Sequence, residues 1–223
     1  MVTPTIVSVL RTGGDYGPDH VVALQAGVRR HLPCPHRFLC LSNIAISGVE
    51  TRPLQRPSWP GWWSKMEMFS PLTHDLGDFL YLDLDTVIVG ELTEIATVGV
   101  FTVLRDFYHR GRPDRQDWIG SGLMYLPRTL LPRIWALWSP DATRNMQRAG
   151  PRGDQGGLML LGLHHEAERW QDILPHQVVS YKVHVQAHRG QIPPGARVIC
   201  FHGKPRPWVT DLWPSDLRAS AGS

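Results

Sequence analysis

Two aspartates separated by one residue end an apolar run in the stretch FLYLDLDTVIV (79–89). An ionised carboxylate is costly to bury, and a second carboxylate beside it raises that cost unless a cation compensates both. If the strand ends near Asp83, a turn at Leu84 brings Asp83 and Asp85 to the strand's carboxyl end, where open α/β sheets bind ligands. The pair predicts a site for Mg²⁺ or Mn²⁺, completed by phosphate oxygens of a substrate. A helix cap or a charged loop is the alternative interpretation.

A second polar group follows another apolar run, in VICFHGKPRPW (198–208). The imidazole of His202 is a ligand that Mn²⁺ accepts, Gly203 lets the backbone approach a phosphate, and Lys204 supplies a point charge for a diphosphate. Taken alone, His202 also fits a hydrogen-bonded structural histidine. Together with the aspartate pair, it becomes a candidate metal ligand.

The elements that must position these residues alternate in type along the chain. TIVSVL (5–10) predicts a buried strand, GPDHVVALQAGVRRHL (17–32) has the apolar spacing of a helix, and 36–43 and 49–54 predict two further strands. Strand, helix and strand in this order are typical of a doubly wound, mainly parallel sheet. The fold class is therefore predicted to be α/β.

Later segments continue this pattern. SWPGWWSKMEMFSP (58–71) predicts a helix with Trp62, Met66 and Phe69 on a core-facing stripe and Lys65 off that stripe. Strands are expected at 99–106, 120–127 and 196–203, and helices at 128–138 and from the GDQGG segment onward. The polar loop between 106 and 118 separates two of these strands.

Composition limits the class of protein. The chain has 223 residues, 42% of them hydrophobic, which predicts one domain (1–223) with a frayed tail from about 214. Its net charge of +3 does not by itself predict nucleic-acid binding. Three cysteines without C-x-x-C spacing predict reduced core thiols. The sequence has neither a signal-peptide pattern nor an apolar run long enough for a transmembrane segment, so we expect a cytoplasmic protein.

Five segments together resemble one known family. WWSKMEMFSP, FLYLDLDTVIV, GSGLMYL, GDQGG and FHGKPRPW are similar to motifs of the glycogenin-like glycosyltransferases of family 8, which have the GT-A fold. The resemblance extends from the first strand to about Trp208. It implies a mixed, mainly parallel sheet flanked by helices and a nucleotide-sugar donor.

The resemblance assigns donor roles to most of the candidate residues. It implies that Asp83, Asp85 and His202 hold Mn²⁺ (or Mg²⁺) between the two phosphates of a UDP-sugar, with Leu84 and Gly203 alongside. Lys204 would then stabilise the departing diphosphate together with the metal. Lys65 matches a family lysine near the phosphates and the donor sugar, and a solvated helix face is its alternative interpretation.

The loop RTGGDYG (11–17) matches the nucleotide-binding turn of the family. There Thr12, Asp15 and Tyr16 would contact uridine, with Asp15 accepting from the base N–H and Tyr16 stacking on its face. The loop lacks the Lys and Ser/Thr of a P-loop and the G-x-G-x-x-G pattern, which argues against a nicotinamide cofactor.

The GDQGG segment matches the sugar-binding part of the family site. The resemblance implies that Asp154 binds donor-sugar hydroxyls and that Gln155 lies near the anomeric centre, although Asp154 also suits a helix N-cap. No firmly placed carboxylate base stands out, so transfer with retention of configuration is expected. Gly120 stands where the family often has Asn, which leaves the sugar open beyond a hexose.

The acceptor is the least determined part of the prediction: a saccharide, a protein or a modified nucleic acid would each fit. The loop at 104–118 carries Arg105, Arg110, Arg112 and Arg115 among Phe107, Tyr108 and Trp118. It suits an anionic acceptor or, as the simpler interpretation, a solvated loop. A sugar-nucleotide hydrolase or nucleotidyltransferase, or a non-catalytic nucleotide-sugar-binding module, remains the alternative to a hexosyltransferase.

Overall fold

The computed structural model describes residues 3–108 and 112–213. Two β-sheets form its framework. The strands are β1 (Thr5–Leu10), β2 (Arg37–Ser42), β3 (Glu50–Pro53), β4 (Phe79–Leu82), β5 (Thr86–Ile88), β6 (Thr102–Arg105), β7 (Ile119–Leu126), β8 (Glu168–Arg169), β9 (Val178–Ser180) and β10 (Val198–Cys200). The α-helices are α1 (Pro18–His31), α2 (Thr93–Ala96), α3 (Leu131–Trp138), α4 (Ala142–Ala149), α5 (Gly153–Leu160) and α6 (Trp170–Ile173). A 3₁₀ helix spans Gly61–Phe69, and a π-helical turn spans Tyr181–Val185.

The larger sheet has seven strands in the order β3-β2-β1-β4-β7-β6-β8. The strand pairs β1–β2, β2–β3, β1–β4 and β6–β8 are parallel, whereas β7 runs antiparallel to both of its neighbours. In the smaller sheet, β10 pairs with β9 in parallel and with β5 antiparallel. The α/β class and the mixed, mainly parallel sheet predicted from the sequence are confirmed.

Alternating side chains of the central strands divide the core into two layers. On one face, Ile6 and Leu10 pack with the apolar side of α1. On the other face, Val7 packs with the 3₁₀ helix and α3. Because successive strand residues point to opposite faces, a continuously apolar strand such as β1 supplies both layers.

The aspartate-bearing segment passes from one sheet to the other. β4 ends at Leu82, the Asp83 N–H donates to the Gly122 carbonyl of β7 at 2.9 Å, and the Thr86 N–H closes a turn on the Asp83 carbonyl at 3.0 Å. β5 then continues in the smaller sheet. The predicted turn at Leu84 is therefore present, and it places both aspartates at the carboxyl end of β4.

The helix predicted at 58–71 is a 3₁₀ helix over nine residues. With three residues per turn, Trp63, Met66 and Phe69 align toward the core and are 7%, 1% and 0% exposed. Trp62 is 57% exposed, so its predicted place on a core stripe is wrong. Lys65 is buried, which excludes the solvated helix face.

The other predicted elements occur within a few residues of their expected bounds. Helices α2, α4 and α6 and strands β8 and β9 are additions that the sequence pattern did not indicate. Among the described residues, no helix has both the length and the apolar character needed to cross a bilayer. Arg110 and the tail from about 214 lie outside the described residues.

Candidate functional site

One cavity of about 910 Å³ opens where β1, β4 and β10 end. Its wall contains eleven of the twelve site residues predicted from the sequence: Thr12, Asp15, Tyr16, Lys65, Asp83, Leu84, Asp85, Asp154, Gln155, His202 and Gly203. Lys204 does not line this cavity and is exposed. The fold thus brings together residues that are almost 200 positions apart in the chain, at the edge where α/β sheets bind their ligands.

Lys65 joins two carboxylates at the floor of the cavity. Its Nζ lies 2.8 Å from Asp83 Oδ1 and 2.9 Å from Asp154 Oδ2. Ser121 supplies a hydroxyl 3.2 Å from the same nitrogen and donates to Asp154. Burial opposes the charge of Lys65, but the two carboxylates outweigh it and raise the pKa of the ammonium. Lys65 is therefore a fixed cation between the end of β4 and the first turn of α5.

Arg206 joins a second pair of carboxylates across the cavity. Its Nη1 lies 2.7 Å from Asp85 Oδ2 and 2.6 Å from the Tyr16 hydroxyl, and its Nη2 lies 2.9 Å from Asp15 Oδ2. The Tyr16 hydroxyl also donates to Asp85 at 2.7 Å. The segment after β10 is thereby bound to the loop after β1 and to the turn after β4.

The electrostatics of Asp85 follow from its surroundings. The residue is 5% exposed, and burial, reinforced by the neighbouring Asp83 charge, raises the pKa of Asp85 to about 6. The Tyr16 hydroxyl and the Arg206 guanidinium act in the opposite direction. Burial and the Asp85 charge raise the pKa of Tyr16 far above its ordinary value, so the Tyr16 phenol remains protonated and donates its hydrogen bond.

The three predicted metal ligands do not form an assembled metal group. Asp83 Oδ1 contacts both Lys65 and the Tyr81 hydroxyl, the latter at 2.6 Å, and Asp85 Oδ2 contacts Arg206. His202 Nε2 lies 2.7 Å from Ser180 Oγ. In the part of the chain that the structure describes, no three His, Cys, Asp or Glu side chains are grouped so that they could hold a metal ion. As placed, Asp83 pairs with Lys65 and Asp85 pairs with Arg206.

His202 has an aromatic environment. Its ring stacks on Phe107 with centroids 5.7 Å apart and meets Tyr108 edge-on at 5.2 Å. Burial, and then the nearby Lys182 charge, lower the pKa of His202. A neutral imidazole joined to Ser180 connects β10 to β9, which is the structural role that the sequence left open beside the metal role.

The loop after β1 is held by its neighbours. The Thr12 N–H donates to Asn43 Oδ1 at 2.9 Å, and the Asn43 amide donates back to the Thr12 hydroxyl at 2.8 Å. The Tyr16 ring meets Trp208 edge-on with centroids 5.6 Å apart. Asp15 is exposed on this rim, where an incoming ligand can reach it.

Helix α5 begins at the cavity with Gly153 at φ +59°. Asp154 is 6% exposed and held by Lys65, whereas Gln155 is exposed. A Cβ atom on Gly153 would lie 2.7 Å from Trp62 Nε1, so the indole packs against glycine backbone. The first turn of α5 therefore presents one anchored carboxylate and one free amide to the cavity.

Sequence reasoning missed three contributors to the site. Arg206 lies two positions beyond the predicted Lys204, in the same HGKPRPW segment. Ser121 belongs to the GSGLMYL motif, where the sequence assigns it no role, and Trp62 is predicted on the core-facing stripe. For Arg206, a signal was present: it is the second basic residue of a segment already assigned to a diphosphate.

Chemically, two cations bridge four of the carboxylates that line the cavity: Lys65 bridges Asp83 and Asp154, and Arg206 bridges Asp15 and Asp85. Such a set can bind a polar ligand with phosphate at the cations and hydroxyls at the carboxylates.

Comparison with known protein structures identifies the fold of the chain. No protein-family model and no curated protein sequence matches the chain. Its structure is similar to that of the galactosyltransferase LgtC in complex with donor and acceptor sugar analogs (TM-score 0.62, 16% identity, 98% of this chain and 96% of that chain). It is also similar to the glycosyltransferase GlyE of Streptococcus pneumoniae TIGR4, with a TM-score of 0.63, 14% identity and coverage of 99% of this chain and 59% of GlyE. The bifunctional glycosyltransferase WbbM is similar as well, with a TM-score of 0.63, 12% identity and coverage of 98% of this chain and 49% of WbbM. The chain has the GT-A fold.

Proposed function

We propose that this protein is a glycosyltransferase that moves a hexose from a UDP-sugar to an acceptor hydroxyl with retention of configuration. The observation that carries the proposal is the convergence of Asp15, Asp83, Asp85, Asp154, Lys65 and Arg206 on one cavity at the carboxyl ends of the strands of a GT-A fold. The family 8 assignment stays a prediction from the motifs. Structures with the same fold are named as glycosyltransferases, which supports the reaction class.

The donor is assigned along the cavity from the loop after β1 to the start of α5. Thr12, Asp15 and Tyr16 would bind uridine, and the fixed Tyr16 ring would stack on the base. Leu84 and Gly203 contribute backbone beside the phosphates, where Lys65 and Arg206 supply positive charge. Asp154 and Gln155 would contact the sugar.

The transfer step breaks the bond between the anomeric carbon and the diphosphate oxygen and forms a bond from that carbon to the acceptor oxygen. Negative charge develops on the departing diphosphate, and fixed cations in a partly enclosed site stabilise that charge. The acceptor proton would pass to the departing phosphate oxygen. UDP and the glycosylated acceptor are the products.

Retention of configuration is supported by the ion pairs of the carboxylates in the cavity. Every carboxylate that lines the cavity among the described residues has a cationic partner: Asp15, Asp83, Asp85, Asp106 and Asp154. An inverting enzyme needs a carboxylate free to take the acceptor proton. Gln155 cannot serve as that base, because an amide does not bind a proton near neutral pH.

A divalent ion stays a sequence prediction with Asp83, Asp85 and His202 as its ligands. Because these side chains are engaged as described above, no step of the proposal passes through a metal. The experiment below measures metal dependence by comparing each donor with Mn²⁺ and with EDTA.

The test is a panel of UDP- and other nucleotide-sugars, each with Mn²⁺ and with EDTA, scored by melting temperature and by released nucleotide. A ligand that binds the native state raises the apparent stability. We expect uridine donors to raise the melting temperature and to release UDP slowly. Release of UMP would favour the hydrolase or nucleotidyltransferase, and binding without turnover with any saccharide would favour the binding module. No shift with any uridine donor would refute the proposal.

A further inference from the structure

One wall of the cavity is aromatic and has no role in donor binding. Trp62 lines the cavity and is 57% exposed, although an indole is among the largest apolar groups in the chain. Scattered surface apolar residues are ordinary, but an indole on the wall of a polar cavity offers a flat surface to a ligand. The ring packs against the backbone of Gly153, where a Cβ atom would lie 2.7 Å from Trp62 Nε1, so the glycine lets the indole lie close to the start of α5.

Trp118 also lines the cavity, and two guanidinium groups lie over its ring. The Cζ atoms of Arg152 and Arg115 lie 3.8 Å and 4.6 Å from the centroid of its indole ring. Arg115 has Asp106 as an ion-pair partner at 3.6 Å. Arg152 is exposed and has no carboxylate partner within 3–108 and 112–213. A guanidinium held over an indole without an anion can bind an incoming carboxylate or phosphate.

The first turn of α5 connects both indoles to the sugar end of the donor site. Arg152 covers Trp118, the next residue Gly153 packs against Trp62, and the two residues after it are Asp154 and Gln155. A sugar ring stacked on Trp62 would therefore lie beside Asp154 and Gln155, the proposed sugar-binding pair. That is where an acceptor must present its hydroxyl.

We propose that Trp62, Trp118 and Arg152 form the acceptor subsite and that the acceptor is a saccharide carrying an anionic group. This inference rests on the proposed glycosyltransferase function and specifies its second substrate. The Trp62 indole would cover the apolar face of a pyranose ring, and Arg152, held in place by Trp118, would bind the acidic substituent. The carboxylate of a uronic acid and a sugar phosphate share this chemistry.

The charge of the molecule favours a saccharide over a nucleic acid. A nucleic-acid groove uses many phosphate contacts and a series of stacking rings. Of the two guanidinium groups that the described structure places over Trp118, Arg152 alone has no carboxylate partner, and the chain as a whole has a net charge of only +3. One ring and one anion match a single acidic sugar unit.

The experiment measures binding of three probes by calorimetry, with and without UDP: methyl β-D-glucuronide, methyl β-D-glucoside and a single-stranded oligothymidylate. We expect the glucuronide to bind best. Trp62→Ala should weaken both glycosides about tenfold, the loss of one stacking contact. Arg152→Gln should weaken the glucuronide alone by a similar factor. The sugar-phosphate form is tested with glucose 6-phosphate on the same variants.

Two variants serve as matched controls. Leu137→Ala removes another large apolar side chain that is 52% exposed and lies outside the cavity wall, and Arg148→Gln removes another exposed arginine of the same region. Both should bind the probes as the wild type does. Melting temperatures of all variants without ligand verify that each one is folded.

Three results would overturn the subsite: no binding of any saccharide probe to the wild type, unchanged binding in Trp62→Ala and Arg152→Gln, or an oligothymidylate that binds more tightly than the glycosides. Saccharide binding that responds to these variants, in a protein that binds no uridine nucleotide, would support the subsite and refute the donor proposal. The two proposals therefore fail separately.

Discussion

The Arg206 guanidinium lies 2.7 Å from Oδ2 of Asp85, a residue that the sequence predicts as a metal ligand. The same group contacts Asp15 and the Tyr16 hydroxyl, so one side chain connects three segments of the cavity. Two cations cannot share one carboxylate oxygen without repulsion. A divalent ion bound to Oδ2 of Asp85 would therefore compete with Arg206.

Replacing Arg206 should expose this competition. We expect Arg206→Gln, without donor, to bind Mn²⁺ about tenfold more tightly than the wild type, because a charged hydrogen bond of about 1.5 kcal/mol no longer opposes the ion. Calorimetry or the electron paramagnetic resonance of free Mn²⁺ measures the affinity. Lys204→Gln changes the same net charge at an exposed position of the same segment and should leave Mn²⁺ binding unaffected. Equal affinities in Arg206→Gln and the wild type would contradict the competition.

Much of this site is local in sequence, and that part was predictable. The apolar run of β4 ends directly before Asp83, and this change from apolar to charged residues marks where the strand stops. The same logic located β1, its loop and the end of β10. Because the carboxyl ends of the parallel strands β1 and β4 share one edge of the larger sheet, the fold class was enough to place the residues that follow these two strands together.

The missed features depend on tertiary contacts. Arg206 reaches Asp85 across 121 positions, and no local pattern distinguishes it from the exposed Lys204. Trp62 was assigned with a 3.6-residue period, whereas the segment folds with three residues per turn and turns Trp63 inward instead. Periodicity alone could not separate these two helical forms over nine residues.

The buried carboxyl group of Asp85 should make stability depend on pH. Its folded pKa of about 6 exceeds the ordinary value, so between about pH 4 and pH 6 the native state binds more protons at this site than the unfolded chain. The contribution is complete below this window and is lost as pH rises through it. Relative to Asp85→Asn in EDTA, the wild type should lose up to about 3 kcal/mol of unfolding free energy between pH 4 and pH 6. Urea titrations across this range provide the measurement, and a pH-independent difference would show that Asp85 is not perturbed.

Lys65 should be required for stability because it compensates two carboxylates. Lys65→Met leaves Asp83 and the buried Asp154 without their shared cation, and breaking such a pair costs about 3 kcal/mol. The double variant Lys65→Met, Asp154→Asn should recover part of that loss, since one of the orphaned charges is gone. Urea unfolding gives both values. Lys204→Met serves as the exposed control and should remain within about 0.5 kcal/mol of the wild type; a comparable loss there would mean that the effect is not specific to the buried cluster.

Gly153 should affect saccharide binding through Trp62. Gly153→Ala adds a methyl group 2.7 Å from the present position of Trp62 Nε1, at a backbone φ of +59°. Gly195→Ala introduces the same methyl at φ +81° with no atom within 4 Å, so it carries the backbone cost without the contact. Both variants should lose about 1 kcal/mol of stability. Because the exposed indole can move away from the methyl, we expect Gly153→Ala alone to weaken methyl β-D-glucuronide binding, by the factor seen in Trp62→Ala. Equal binding in the two glycine variants would mean that the position of the Trp62 ring does not determine acceptor affinity.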